Sequence, residues 1–314
     1  MDPLSLTYLE RLTLRLTLGA AQLPDEILSL HSRYILDAQR GDGGWAGREG
    51  DSDIYYSSFA LRSLAILGLL EGSVAERAAS FLASRLNQHE SIVDLLSLVY
   101  SAKLIEGSCG IDALSGAQSS WSQRLAGLLE RLYCEDGGYS KTLEGRVGST
   151  YQTFLVLLCL ELLGEPIPHR EQTIAFVRSQ RQDDGGFLEI RVGKRAGANP
   201  TAAAIGSLQV LDALDEATRS SVTAFLADLQ TDEGGWQANT RIPLPDLLST
   251  FTACVTLCDL DGMQQVNLRA AQRYAASMQR STGGFAGFEF DPAQDVEYTF
   301  YGLGTLALIA EQSA

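Results

Sequence analysis

The sequence predicts an all-α protein, an (α/α)6 toroid barrel of six helix-pair repeats forming one domain over residues 1–314. Three observations predict it. A Gly-Gly-aromatic triplet returns at a near-constant period, two helical patterns flank each triplet, and six units of that length nearly exhaust the chain.

The triplets are Gly43-Gly44-Trp45, Gly137-Gly138-Tyr139, Gly185-Gly186-Phe187, Gly234-Gly235-Trp236 and Gly283-Gly284-Phe285. Successive intervals are 94, 48, 49 and 49, and 94 is twice 47, so a sixth, degenerate copy is expected near residue 90, where Asn87-Gln88-His89-Glu90 stands. Before the triplets lie amphipathic stretches such as 74–86, 171–180, 217–229 and 267–278. After them, beyond an irregular segment, come the more apolar stretches 57–67, 150–163, 202–214, 249–260 and 299–310. Apolar residues recur at three and four in both kinds, with few interior Gly or Pro, so both read as helices of three to four turns. The apolar member must be shielded on most sides while the charged member faces water along one stripe. Six apolar helices are thus expected inside and six amphipathic ones outside, with the triplet aromatics buried at equivalent places. An open superhelix is the alternative, but only short ends are left over to cap one.

In a closed barrel the inner helices run parallel and gather their positive dipole ends at one mouth. Residues following the glycine turns should line it, among them Asp53, Tyr55, Tyr151, Lys194, Arg195, Arg241, Asp246, Asp295, Glu297 and Tyr298.

Composition bounds the function. Hydrophobic residues make up 45% and charged residues 20%, a globular mixture with a large core available. Asp plus Glu number 39 against 24 Lys plus Arg, a formal charge of -15 that repels phosphate backbones, so no nucleic-acid partner is expected. The start carries Asp2 and Glu10 without an apolar targeting segment, and the longest apolar run, 154–160, is far short of a membrane span. A soluble, cytoplasmic protein is expected. The five cysteines, an odd number in mostly apolar surroundings, read as reduced, buried thiols.

The turn sequences at 39–45, 230–236 and 279–285 resemble those of protein prenyltransferase β subunits, the Rab geranylgeranyltransferase type most of all, with terpene and squalene cyclases as more distant relatives. The likeness spans essentially the whole chain. It speaks for fold more than for activity, because the glycines serve the turn and the aromatics pack between helices. It implies an isoprenoid diphosphate or similar apolar ligand and a helical-repeat partner of the α-subunit kind.

Active transferases of this family hold zinc through Asp-x-Cys at the start of the fifth inner helix and a His at the start of the sixth. The resemblance puts Asp246 at the first position, but Leu248 stands where the Cys belongs and Tyr298 where the His belongs. Leucine binds no metal, and catalytic zinc takes three protein ligands. His31, His89 and His169 fall on an outer helix, the degenerate turn and a connecting loop. Cys254 shares a helix face with Cys258 but lies roughly 12 Å from Asp246 at about 1.5 Å per residue. No zinc is expected, and the only cofactor the acidic residues leave open is a divalent ion such as Mg.

The family's diphosphate site is altered as well. Gly197 lies near the place of its His on the fourth inner helix, Thr240 and Pro243 take the Arg and Lys places of the fifth, and Arg241 is one step out of register. The loop Arg191-Val192-Gly193-Lys194-Arg195 is the densest basic cluster in the chain. It is either a solvated charge cluster, or Lys194, Arg195 and Arg241 meet a diphosphate whose tail enters among Tyr55, Tyr151, Phe251 and Tyr298.

Class II cyclases protonate their substrate from Asp-x-Asp-Asp at an inner-helix start, and Asp51-Ser52-Asp53-Ile54 matches that in part. Asp246 and Asp295 each stand twelve residues after their turn's first glycine, with Glu297 close to the latter. Asp53, Asp246, Asp295 and Glu297 are therefore candidate acids; the competing reading is that acids at helix starts cap N–H groups. A thioester domain is excluded, because Cys109 has no Gln three residues later. The leading expectation is a divergent, zinc-independent isoprenoid-processing enzyme. A non-catalytic binder of an apolar ligand and a helical interaction scaffold are the alternatives.

Overall fold

The computed structural model describes residues 6–86, 91–116 and 120–312. The degenerate triplet expected at 87–90 lies outside the described residues. After a first helix, α1 (Tyr8–Ala20), twelve helices follow as six pairs. They are α2 (Asp25–Asp37) with α3 (Ile54–Ile66), α4 (Gly72–Ser84) with α5 (Ile92–Cys109), and α6 (Trp121–Glu130) with α7 (Thr150–Leu163). Then come α8 (Arg170–Ser179) with α9 (Ala198–Val210), α10 (Glu216–Asp228) with α11 (Leu247–Asp259), and α12 (Leu268–Ser277) with α13 (Val296–Glu311).

Burial separates the two members of each pair as the patterns predict. Every residue of α13 from Thr299 to Ile309 is buried, whereas α2 buries only His31 and Ile35. Trp45, Tyr139, Phe187, Trp236 and Phe285 are all buried between the members of their pairs. The inner helices start a few residues before their apolar stretches, at Ile54 rather than Ser57 and at Ala198 rather than Ala202. Side-chain caps mark the starts of α3, α7, α11 and α13, at Asp53, Ser149, Asp246 and Asp295, whereas α9 starts after Gly197 without one. The pattern did not single out α1 or α5, the longest helix.

One local device recurs in every described turn. In the fifth repeat Trp236 pairs with Asp246 across two short strands, β1 (Trp236–Gln237) and β2 (Pro245–Asp246). The Trp236 backbone N–H donates to Thr250 Oγ1 at 3.0 Å, and the Thr250 hydroxyl donates to the Asp246 carbonyl at 2.7 Å. The indole N–H reaches back to the Leu226 carbonyl of α10 at 2.7 Å. The same N–H to hydroxyl bond joins Trp45 to Ser57, Tyr139 to Thr153, Phe187 to Thr201 and Phe285 to Thr299. Each turn thereby ties the end of an outer helix to the first turn of its inner partner and leaves no buried aromatic N–H unpaired.

The glycines let the turn seat on the next outer helix. Gly234 has φ +100°, and a Cβ there would stand 2.3 Å from the Ala270 carbonyl of α12. Gly283 makes the corresponding approach to α2, where a Cβ would stand 2.6 Å from Tyr34 Cβ. The sixth turn thus packs on the first outer helix, a contact an open superhelix does not make.

The chain contacts divide into two compact units. One comprises Met1–Glu10 with Ser119–Ala270, the other Arg11–Gln118 with Ala271–Ala314. In the first, α9 packs between α7 and α11; in the second, α3 packs between α5 and α13. Tyr8, from α1, donates its hydroxyl to Asp259 at 2.8 Å and its N–H to Glu161 at 2.9 Å in the first unit.

His31 is buried on α2. Its Nδ1 accepts the Gly284 N–H at 3.0 Å and its Nε2 faces Gln279 Oε1 at 3.0 Å, so the neutral ring carries its proton on Nε2 and donates it. In three other turns the equivalent glycine N–H, of Gly44, Gly138 or Gly186, donates to an aspartate, Asp42, Asp136 or Asp184 respectively. The sixth turn has Thr282 at that place, and His31 substitutes from another helix. Burial lowers the His31 pKa below 6.5, against the opposing pull of Gln279. The fold therefore binds the neutral form, and its stability is present above about pH 6.5 and is lost as pH falls, where the unfolded chain takes up the proton. Denaturant midpoints should drop between about pH 7.5 and about pH 5.5. In His31→Asn, whose amide oxygen replaces Nδ1, that drop should be smaller.

Candidate active site

In the second unit, α3 and α13 present their first turns to each other. Glu297 lies there with its carboxylate accepting the Tyr55 hydroxyl at 2.6 Å and the Tyr301 hydroxyl at 3.2 Å. Burial, above all, raises its pKa from the ordinary glutamate value; the Tyr55 hydrogen bond opposes this and the Asp295 charge adds to it. Rings surround it. Tyr55 and Tyr301 each pack edge-on against Phe59, with centroids 5.0 and 5.3 Å away.

The three aspartates named with Glu297 all cap helices. Asp53 accepts the Tyr56 N–H at 2.8 Å, Asp295 the Tyr298 N–H at 2.9 Å, and Asp246 the Ser249 N–H at 2.7 Å. Asp246 also takes the Ser249 hydroxyl at 2.8 Å, so both of its oxygens are engaged. Burial raises the Asp53 and Asp246 pKa values against these N–H bonds. Glu297 is the one candidate acid whose carboxylate faces side-chain hydroxyls rather than a helix end.

Two neighbours of Glu297 were not legible as site residues. Arg48, in the first repeat's turn loop, donates its Nε to Asp295 at 2.9 Å and its two terminal nitrogens to Asp291 at 2.9 and 2.6 Å. It also lies over the Tyr298 ring, 5.7 Å from the centroid. Deeper along α3, the Arg62 guanidinium stands 4.9 Å from Phe59, 4.8 Å from Tyr100 and 5.8 Å from Phe300, and its Nε has no hydrogen-bond partner among the described residues. Apart from Phe59, the residues that neutralise or enclose these groups lie more than thirty positions away in sequence, with no motif to join them.

In the first unit, Phe251 is buried on α11 and Tyr151 is 41% exposed on α7. Lys194, Arg195 and Arg241 are exposed. The Arg195 guanidinium donates to Thr240 Oγ1 at 3.3 Å, which brings the loop of Lys194 and Arg195 beside that of Arg241.

The residues present do not suit the zinc of active transferases. Leu248 offers no ligand, and Asp246 is occupied as a cap. No group of three or more His, Cys, Asp or Glu able to hold a metal occurs among the described residues. Cys254 and Cys258 are buried, and desolvation holds the Cys254 thiol protonated. Magnesium finds no better place at Asp291 and Asp295, because the Arg48 guanidinium already supplies the positive charge between them. No helix among the described residues is long and apolar enough to cross a membrane.

Paired helices joined by clamped glycine turns, all-α throughout apart from β1 and β2, define an α/α toroid. The chain belongs to the prenyltransferase alpha-alpha toroid domain family, whose sequence profile matches residues 16–83, 103–199 and 200–314. Among solved structures it is similar to Candida albicans protein geranylgeranyltransferase-I complexed with GGPP, with 14% identity, TM-score 0.72, and 90% of this chain and 91% of that one covered. It is also similar to a variant of the type II terpene cyclase MstE from Scytonema in complex with geranylgeranyl dihydroxybenzoate, with 12% identity, TM-score 0.64, and 94% and 99% covered. A protein from Actinoplanes shares 16% identity at TM-score 0.62, with 92% and 99% covered. At these identities the likeness is one of fold. No curated protein sequence matches this chain.

The purified protein should contain no stoichiometric zinc by elemental analysis. One zinc per chain, lost on Asp246→Ala, would restore the ordinary prenyl-transfer chemistry of the family.

Proposed function

We propose that this protein is a zinc-independent isoprenoid-processing enzyme in which the Glu297 carboxyl exchanges a proton with the isoprenoid chain. The observation that carries this reading is the placement of Glu297: a half-buried carboxyl with a raised pKa, set beside aromatic rings and faced by two tyrosine hydroxyls. Burial keeps its proton on to higher pH, as a general acid requires. The Tyr55 and Tyr301 hydroxyls receive the carboxylate once the proton has left, and the surrounding rings suit an apolar chain and a transient cation.

The step needs no external reagent. The carboxyl O–H bond breaks as its proton adds to one carbon of a double bond; the cation at the other carbon is attacked by the next double bond, and loss of a proton restores neutrality. The net change is isomerisation. Arg48 supports it by neutralising Asp291 and Asp295, so that their charges do not add fully to the burden on Glu297. Likeness to folds solved with GGPP and geranylgeranyl dihydroxybenzoate supports an isoprenoid ligand. Separately, within the first unit, the neighbouring exposed side chains of Lys194, Arg195 and Arg241 are proposed as contacts of an anionic group, each charge-assisted bond being worth about 1.5–3 kcal/mol.

Calorimetry and product analysis with farnesyl and geranylgeranyl diphosphate test both parts. Lys194→Ala with Arg195→Ala should weaken binding at least about tenfold. Glu297→Gln should bind nearly as the wild type does but turn over at least about a hundredfold more slowly, and wild-type turnover should fall as pH rises through the Glu297 pKa. Undiminished turnover by Glu297→Gln would overturn the acid assignment. No heat with either diphosphate would favour the scaffold.

A further inference from the structure

The first unit carries three loops that each lead from a glycine turn into an inner helix, over residues 140–148, 188–197 and 237–245. Hydrogen bonds stitch them side by side. The Thr150 N–H at the end of the first donates to the Glu189 carbonyl of the second at 2.8 Å, and the Ala198 N–H at the end of the second donates to the Ala238 carbonyl of the third at 2.9 Å. With α7, α9 and α11 packed in that order, the loops form one strip across the N-terminal ends of three neighbouring helices.

Two kinds of side chain alternate on the strip. The first loop exposes Leu143 and Val147 beside Lys141 and Arg146. The second exposes Ile190 and Val192, the latter at 78%, beside Arg191, Lys194 and Arg195. The third exposes Ile242 and Leu244 beside Arg241. Glu144 is the one exposed acid against these six cations, in a chain whose net charge is -15. None of the six cations forms an ion pair among the described residues.

We propose that this strip docks the protein on the surface of an anionic lipid bilayer. Aliphatic tips flanked by Lys and Arg are what an interfacial contact requires: the tips enter the headgroup boundary while Lys141, Arg146 and Arg191, which the proposed head-group site does not use, meet lipid phosphates. The three loops contain no Tyr, Trp, Phe or Met, residues in which protein interfaces are enriched, and this argues against a protein partner. The contrast in charge argues the same way. An acidic molecule is repelled by an anionic membrane in most orientations, and a basic strip selects the one in which these loops face it. The docking does not depend on chemistry at Glu297, and its test contains no isoprenoid.

The test is co-sedimentation of the full chain with vesicles of phosphatidylcholine containing about 30 mol% phosphatidylserine, beside vesicles of phosphatidylcholine alone. The wild type should bind the anionic vesicles at least about tenfold more strongly, and less strongly as salt rises. Val192→Asp combined with Ile242→Asp should reduce binding at least about tenfold at an unchanged melting temperature, since both side chains are exposed. Lys141→Ala with Arg146→Ala, on the neighbouring loop, should weaken binding and flatten its salt dependence. Equal binding to both vesicle types, or undiminished binding by the aspartate variant, would overturn the proposal. So would a wild type that ignores vesicles but dimerises through the strip, with the aspartate variant monomeric.

Discussion

The hydrogen bond from a turn aromatic's backbone N–H to a Ser or Thr hydroxyl in the first turn of the inner helix is the constraint on which the rest depends. Burying a large aromatic between two helices is favourable only if its peptide groups are satisfied, and the hydroxyl satisfies one while its own proton bonds a carbonyl. In the fifth repeat, Thr250 does both at 3.0 and 2.7 Å. The residue four positions earlier, Asp246, is then held extended against Trp236 and free to cap the helix. Aromatic and hydroxyl, joined by a side-chain cap except at Gly197 of the fourth repeat, define where these inner helices begin, and hence which side chains stand at the first turn.

That placement explains why the acids there are not equivalent. Asp53, Asp246 and Asp295 occupy the cap position itself, where carboxyl oxygens bonded to N–H groups serve the fold. Glu297 stands two residues further on, past the cap, where it is half-buried and accepts hydroxyls rather than an N–H of its own helix. Tyr55 of α3 reaches it from across the helix interface. A carboxyl so placed adds nothing to helix capping and is costly to ionise, a combination more readily understood as chemistry than as structure.

The periodic part of the molecule was legible in the sequence because each repeat states its turn, its aromatic and its two faces within fifty residues. Trp45 and Trp236 could be assigned to equivalent buried places on spacing alone. What spacing could not reveal is what a repeat gains from distant ones. His31 completes the sixth turn from α2, and Arg48 of the first loop neutralises Asp291 and Asp295 of the last. Arg62 has one ring, Phe59, beside it on its own helix, and the packing of α5 and α13 against α3 adds Tyr100 and Phe300. Asp246 and Asp295 stand out by a shared offset, but that offset marks caps, and Glu297 is marked in the sequence only by lying close to Asp295.

The most direct measurement compares two valine substitutions in α11 by equilibrium denaturation. Thr250 accepts the Trp236 N–H, whereas Thr256, also buried, only donates to the Thr252 carbonyl of its own helix at 2.8 Å. Thr250→Val leaves a buried N–H unsatisfied and should cost about 1–3 kcal/mol. Thr256→Val, which strands no donor, should cost well under half of that. Equal losses from the two substitutions would contradict the clamp as the organising constraint of this fold.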